Sequence, residues 1–125
     1  MRSHWIEHKG KRILYCDYTN FSLADFQALK DELDAVVEIM IQQPEGSLLS
    51  LSDIRGSVAS SQVIDIFKEG AKTAAKHIKR QAVVGVTGLK KVFFDLIVHL
   101  SGQNARSFNN DGMEAAKDWL VKEDD

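Results

Sequence analysis

The residues best suited to binding an anion lie in residues 85–91, which read Gly-Val-Thr-Gly-Leu-Lys-Lys. This segment leaves an apolar stretch and enters a helical pattern, so free backbone N–H groups, the Thr87 hydroxyl and the ammonium groups of Lys90 and Lys91 could converge on a phosphate. It lacks the spacing and the Gly-Lys-Ser/Thr ending of a Walker A motif. A tight turn at Gly88, capped by Thr87 and followed by solvated lysines, has the same sequence, and we favour that structural interpretation.

A second candidate site combines Asp17, Asp53 and Arg55. Each lies near the end of a β-like stretch, where polar residues of parallel sheets often bind ligands or partners. An aspartate that closes a loop and an arginine paired with it would look the same in sequence. Ser57 follows in the same loop and is included in the candidate binding surface. The sequence offers no recognisable catalytic constellation, and we expect no enzymatic activity.

Metal and cysteine chemistry are poorly supported. His4 and His8 share a strand face with Ile6, but no third ligand follows at a typical spacing, so we expect neither a metal nor a cofactor. The single cysteine, Cys16, excludes an internal disulfide framework and fits a reducing compartment. On an apolar strand it is more typical of a small buried residue than of a nucleophile.

Composition limits the classes of partner. The chain has 125 residues, 44% of them hydrophobic and 27% charged, which predicts a single globular domain over residues 1–125. Its net charge of -2 gives no general attraction to nucleic acid or to anionic membranes. One basic stripe is present, on the second predicted helix and its exit: Lys68, Lys72, Lys76, Lys79 and Arg80. We interpret it as a solvated surface because no aromatic residues interleave it, and we expect no nucleic-acid binding.

No apolar run approaches the roughly 20 residues that a membrane-spanning helix needs, and the N-terminus has no apolar signal core. We therefore expect a cytoplasmic protein that does not insert into membranes.

Strand patterns place these candidates at strand ends. Residues 5–8 and 12–18 are β-rich and flank a turn at Gly10, which predicts a β-hairpin. Residues 48–54 alternate in polarity as a strand does, and residues 82–86 form the short apolar run of a central strand. A last, short edge strand is predicted over residues 105–108.

Four helices are predicted between and after these strands. The first begins at a Ser22–Asp25 capping pattern and ends before Pro44. The core-facing residues of the second are Val63, Phe67, Ala71, Ala74 and Ile78. Those of the third, which should end at Gly102, are Leu89, Val92, Phe93, Leu96, Ile97 and Leu100. The last, capped by residues 109–111, uses Met113, Ala116, Trp119 and Leu120.

The resulting order, a β-hairpin followed by α-β-α-β-α-β-α, is typical of an α/β fold. It predicts a single layer of mainly parallel β-sheet packed against helices, with right-handed crossovers. The carboxyl ends of its strands would bring together residues 17–20, 53–57 and 87–91.

Four segments also resemble a known family. They are His-Lys-Gly-Lys-Arg-Ile-Leu-Tyr-Cys-Asp-Tyr, Leu-Ser-Leu-Ser-Asp-Ile-Arg-Gly, Ala-Val-Val-Gly-Val-Thr-Gly-Leu-Lys-Lys and Ala-Ala-Lys-Asp-Trp-Leu. In this order they resemble the SpoIIAA-like branch of the STAS domains (sulfate transporter and anti-sigma-factor antagonist), over nearly the whole chain. The resemblance implies a SpoIIAA-like α/β fold related in architecture to the CRAL-TRIO lipid-binding domains. It also implies a regulatory or protein-interaction role, and some members bind nucleotides or other small ligands.

One departure from the family concerns its phosphorylation switch. In the anti-sigma-antagonist members, the serine directly after an aspartate at the start of the second helix is phosphorylated. Here Ile54 follows Asp53 and has no hydroxyl, which puts a kinase-controlled mechanism in doubt. Ser57, Ser60 and Ser61 are close by but do not match that position.

Two functions are therefore carried forward. The first is a non-enzymatic STAS-like interaction module that binds a protein partner through the strand-end loops and the start of the second helix; a homodimer is one form of this. The alternative is a carrier or sensor that holds a lipid-like or nucleotide ligand between sheet and helices, with Thr87, Lys90 and Arg55 as polar anchors. An enzyme would require a perturbed carboxylate pair in a pocket.

Overall fold

The computed structural model describes residues 1–101 and 104–123. The strands are β1 (His4–His8), β2 (Lys11–Asp17), β3 (Leu48–Asp53), β4 (Ile78–Val84) and β5 (Ala105–Phe108). The helices are α1 (Phe26–Met40), α2 (Ser61–Ala74), α3 (Leu89–Ser101) and α4 (Met113–Val121). No helix in these ranges is long and apolar enough to cross a membrane.

The predicted fold class is confirmed. One five-stranded sheet has the order β1-β2-β3-β4-β5, with β1 antiparallel to β2 and every other neighbouring pair parallel. Helices α1, α2 and α3 lie on one face and α4 covers the other. Because β3 is covered on both faces, all six of its residues are buried.

The opening hairpin forms as predicted. Its two turn residues, Lys9 and Gly10, have φ values of 51° and 82°, the left-handed pair that matches the twist of a two-residue hairpin. The paired strands then alternate side chains between the two faces of the sheet. Leu14 and Cys16 of β2 face α1 and α2, while Ile13 faces α4.

Helix α1 is confirmed together with the capping contact before it. The Ser22 backbone N–H donates to Asp25 Oδ2 at 3.0 Å and closes a short 3₁₀ turn over Leu23–Asp25. The buried face of α1 then follows helical spacing, with the apolar residues Leu29, Leu33, Val36 and Met40.

Helix α2 ends earlier than predicted. It stops at Ala74 and is followed by a 3₁₀ turn over Ala75–His77, in which His77 Nδ1 donates to the Gln43 carbonyl at 2.6 Å. Ile78, assigned from sequence to the helix, is therefore the first residue of β4. The prediction was wrong here because the apolar spacing continues from the end of α2 across the 3₁₀ turn into β4.

Arg80 is not part of the basic stripe. The β3–β4 register shifts between Leu48 and Leu49, which pair with Ile78 and Arg80, so these two β4 residues point to opposite faces. Arg80 is buried and Nη1 donates to the carbonyls of Leu120 (3.0 Å) and Lys122 (2.8 Å) at the carboxyl end of α4. A cation at that end complements the helix dipole.

The predicted core side of α3 was only partly right. Phe93 and Ile97 line the cavity between α3 and the sheet, but Leu89, Val92 and Leu96 are 75%, 62% and 46% exposed, because the opposite side of this helix faces α2 and the sheet. The side chain of Leu100, predicted to face the core, is not among the described side chains, and the predicted stop at Gly102 lies outside the described residues.

The cap of α4 also differs from the expectation. Residues 109–112 form a turn closed by a 3.1 Å hydrogen bond from the Gly112 N–H to the Asn109 carbonyl. The Asn109 side chain accepts from the Asp111 N–H within this turn, so Gly112 and not an Asn or Asp occupies the N-cap position.

Glu32 attaches the start of the chain to α1. This side chain is buried, and it accepts hydrogen bonds from the backbone N–H groups of Arg2 (3.0 Å) and Ser3 (2.8 Å). Burial alone would raise the pKa of Glu32, but the hydrogen bonds from Ser3 and Arg2 outweigh it and hold the pKa below its usual value of 4.5. Ionised Glu32 therefore stabilises the fold.

We predict that Glu32→Gln lowers the free energy of unfolding at pH 7 by about 1–3 kcal/mol, because an amide NH₂ would face one of the two backbone donors. Since the folded pKa is depressed, the stabilisation is present above the unfolded pKa and is lost as the pH falls through the folded value. Urea unfolding between pH 7 and pH 3 should show the two proteins converge in acid. Glu38→Gln, on the exposed side of α1, is the matched control and should unfold like the wild type.

Candidate functional site

Asp17 and Asp53 lie side by side at the carboxyl ends of β2 and β3, where they are register partners. Their side chains nevertheless have separate partners. Asp17 Oδ1 accepts from the Thr19 backbone N–H at 3.0 Å and from its hydroxyl at 2.7 Å, and lies 3.6 Å from Arg2 Nη2. The predicted cluster is thus present as two adjacent but distinct hydrogen-bonding groups.

Asp53 is fully buried and forms the centre of the second group. Its carboxylate accepts from Arg55 Nε (2.9 Å), Arg55 Nη2 (2.7 Å) and the Tyr15 hydroxyl (2.7 Å). Burial alone would raise the pKa of Asp53, but the hydrogen bonds from Arg55 and Tyr15 lower it below its usual value. Burial, and then the bond to Asp53, raise the pKa of Tyr15, which keeps its hydroxyl a donor. The ion pair is bidentate, and it stabilises the loop after β3.

Gly85 makes room for this arrangement. It has a φ of +98°, and a Cβ at this position would lie 2.9 Å from the backbone nitrogen of Arg55. Any other residue would both strain the backbone and push the Arg55 loop away. The glycine that follows β4 therefore serves the packing of two neighbouring strand-end loops.

Ser57 and Ser60 have structural hydrogen bonds. The Ser57 hydroxyl donates to the Tyr18 carbonyl and accepts from the Phe21 N–H at 2.9 Å, which connects the loops after β2 and β3. The Ser60 hydroxyl accepts from the Val63 N–H at 3.2 Å and caps α2. A role for Ser57, or for phosphorylation of either serine or the exposed Ser61, remains a prediction.

The lysines of residues 85–91 point to different places. Lys91 Nζ pairs with Asp95 one turn further along α3, at 2.8 Å. Lys90 Nζ donates instead to the Ile54 carbonyl at 3.2 Å. Thr87 and Gly88 are exposed at the start of the helix, and the Thr87 carbonyl accepts from the Lys90 N–H. The two ammonium groups do not meet in a common anion site.

An apolar cavity of about 130 Å³ lies between the sheet, α2 and α3. Apolar walls come from residues of both helices, including Val63, Ile64, Phe67, Phe93, Phe94, Ile97 and Val98. Of the three polar anchors expected for a small ligand, Lys90 lies on this wall, whereas Arg55 and Thr87 do not.

The lining of the cavity includes small and polar residues. Ala71 of α2 and Ala105 of β5 leave space that larger side chains would fill. On the sheet, Gln81 Nε2 donates to Ser52 Oγ at 3.3 Å and forms a small polar floor. The sequence does not reveal this polar floor. The inward-facing serines of β3 alternate with leucines, so they resemble solvent-facing positions.

Sequence reasoning predicted Phe93 and Ile97 for the core side of α3 but missed Phe94, although a signal for it was present. Phe93, Phe94 and Ile97 stand three, four and seven residues after Lys90, so all four lie on one side of the helix. That side lines the cavity, and Lys90 is half-buried within it. Burial lowers the pKa of Lys90.

A second concavity, lined by α3 and β5, carries several charged side chains. Its volume is about 420 Å³, and Lys91, Asp95, His99 and Arg106 are on its surface beside Phe94. Because these charges face solvent and Lys91 is paired with Asp95, this concavity does not resemble a desolvated binding site.

The histidines and the cysteine do not form a ligand set. Within residues 1–101 and 104–123, no group of three or more His, Cys, Asp or Glu side chains could hold a metal ion. His8 pairs with Asp118 of α4 at 2.8 Å, and His4 lies against the Tyr15 ring. Cys16 is fully buried, and burial raises the pKa of its thiol to about 11.

These features define a protein with a SpoIIAA-like α/β fold and an apolar cavity beside its strand ends. A similar solved structure is the crystal structure of an uncharacterized protein from the DUF3478 family, with a SpoIIAA-like fold, from Shewanella loihica PV-4. It is 16% identical, with a TM-score of 0.66 over 95% of this chain and 92% of that chain. The SpoIIAA-like fold that the sequence resemblance implied is thereby confirmed.

No protein-family model and no curated protein sequence matches this chain. At 16% identity the structural similarity concerns the fold alone, and fold does not determine function. Function must therefore be argued from the residues of this chain.

We predict that Arg55→Ala lowers the free energy of unfolding by about 1–3 kcal/mol, because buried Asp53 loses its charged partner. Arg55 is itself partly exposed, which reduces the cost below that of a fully buried pair. In an Asp53→Asn background the same substitution should cost at least about 1 kcal/mol less. Urea unfolding of the four proteins of this cycle tests the coupling, and additive effects would contradict it.

Proposed function

We propose that this chain acts by binding and not by catalysis, and that its ligand is a small, largely apolar molecule held between the sheet and helices α2 and α3. The observation that carries this proposal is the cavity of about 130 Å³, with aromatic walls and one cation at its edge. Ligand sites are typically preformed apolar concavities with a few polar groups. In another protein an apolar cavity of about 150 Å³ takes up benzene, so a ligand segment of similar size would fit here.

The reactive groups of the described residues support binding rather than catalysis. The Cys16 thiol, with a pKa of about 11, is protonated near neutral pH and is therefore a poor nucleophile. Asp53 is saturated by Arg55 and Tyr15. Neither Cys16 nor Asp53 lines the cavity, whereas a catalytic base must reach its substrate.

A cytoplasmic location, favoured by the single free cysteine, is part of the proposal.

Filling the cavity should abolish ligand binding without unfolding the protein. We predict that the wild type binds the neutral probe 1-octanol saturably in isothermal titration calorimetry and that Ala71→Leu does not. The added side chain would occupy empty space, so the free energy of unfolding should change by less than about 1.5 kcal/mol. Ala115→Leu, at an exposed position of α4, is the matched control and should bind octanol normally. Absence of saturable binding by the wild type, or unimpaired binding by Ala71→Leu, would argue against this function.

The second candidate is the regulatory or protein-interaction module. The observation that favours it is the exposed apolar stripe on α3, formed by Leu89, Val92 and Leu96 at i, i+3 and i+7. Such stripes commonly mark surfaces that pack against another protein. Because soluble homo-oligomers most often form twofold dimers, a second copy of this chain is the partner to test first.

For the homodimer we predict that Val92→Glu shifts the sedimentation coefficient from that of a dimer to that of a monomer, since a charge in an apolar interface would be desolvated without a partner. Ile41→Glu, on an exposed apolar residue of the turn after α1, serves as control and should sediment like the wild type. A monomeric wild type would eliminate the homodimer.

A further inference from the structure

Lys90 is the one charged residue that lines the cavity within the described part of the chain. Its ammonium group donates to the Ile54 carbonyl at 3.2 Å, and no carboxylate of the described residues lies within ion-pairing distance. The adjacent Lys91 is different, because it is exposed and paired with Asp95. Two consecutive lysines thus differ in environment: one is solvated and paired, while the other is half-buried against apolar walls.

An unpaired, half-buried cation is energetically unfavourable. Removing an ammonium group from water costs free energy, which a single carbonyl restores only in part. The desolvation is also evident in the lowered pKa of Lys90. A methionine or leucine would satisfy this side of α3 better than lysine does, since Phe93 and Ile97 are its neighbours. An anion bound beside Lys90 would offset this cost.

We infer that Lys90 recognises the carboxylate of an amphipathic ligand whose hydrocarbon part occupies the cavity, which rests on and deepens the binding function proposed above. The ammonium group lies at the strand-end rim beside Ile54, and the apolar wall continues along α3 to Ile97 and Val98. Seven to eight residues of helix span about 10–12 Å. A linear hydrocarbon chain of medium length would lie along this wall with its carboxylate at the rim.

A carboxylate fits this site better than a phosphate does. Phosphate groups usually bind several cations or an arginine fork. Here Arg55 is engaged by Asp53, Lys91 is engaged by Asp95, and Lys90 gives one donor to Ile54. One ammonium group with two remaining donors matches a single negative charge.

The test compares three probes that share one hydrocarbon chain: octanoate, 1-octanol and octyl phosphate. We expect the wild type to bind octanoate about tenfold more tightly than 1-octanol in isothermal titration calorimetry, as a charged hydrogen bond of moderate strength would give. Lys90→Met should lose that preference and retain octanol binding. Lys91→Met removes a neighbouring charge of the same sign and should keep the preference.

The outcomes separate this inference from the function on which it rests. If neither octanoate nor octanol binds the wild type, the cavity is not a ligand site and both proposals fail. If the two bind equally well, the cavity function stands and recognition by Lys90 is overturned. Tighter binding of octyl phosphate would overturn the carboxylate in favour of a phosphate head group. An equal loss in Lys91→Met would show an unspecific charge effect and would also overturn the assignment.

Circular dichroism melting of Lys90→Met provides a check on folding. We expect its melting temperature to equal or exceed that of the wild type, because methionine at this position removes the desolvation cost of the ammonium group. A lower melting temperature would show that Lys90 stabilises the fold by itself, and would overturn the argument that its position reflects ligand binding.

Discussion

The burial of β3 on both faces is the constraint on which the rest of the structure depends. All six of its residues are buried, so helices must cover the sheet from both sides. Leu49 and Leu51 pack towards α4, and the alternate positions face α1, α2 and α3. Because the strand ends inside this layer, Asp53 is carried into the interior and must be neutralised there. Arg55, two residues later, supplies the countercharge.

The two cations near the strand ends, Arg55 and Lys90, have different environments because of how the elements around them pack. Arg55 offers a planar fork, and the buried Asp53 carboxylate uses it fully. Lys90 approaches from α3 on the other side of the sheet, where no carboxylate of the described residues meets it. A saturated ion pair stabilises a loop, whereas an unpaired cation beside an apolar space can stabilise a bound anion. This difference is why the proposals rest on Lys90 and not on Arg55.

The fold was largely predictable from periodicity. The hairpin turn, the strand–helix alternation and the capping contact of Ser22 with Asp25 depend on residues close together in sequence, and these predictions are confirmed. Errors occurred where distant groups decide local structure. Helix α2 is followed by a 3₁₀ turn in which His77 binds the Gln43 carbonyl, and a register shift in β4 turns Arg80 towards α4. Neither feature can be recognised from the local pattern of apolar residues.

The candidate site was predictable only as a set of residue types. Sequence placed Asp17, Asp53, Arg55 and Lys90 near strand ends, because carboxyl ends of parallel strands share one edge. The partner of each side chain followed from three-dimensional packing: hydrogen bonds are short and directional, so small differences in loop position decide which groups meet. The cavity likewise depends on tertiary packing, because residues of α2, α3 and β5, which are far apart in the chain, line it together.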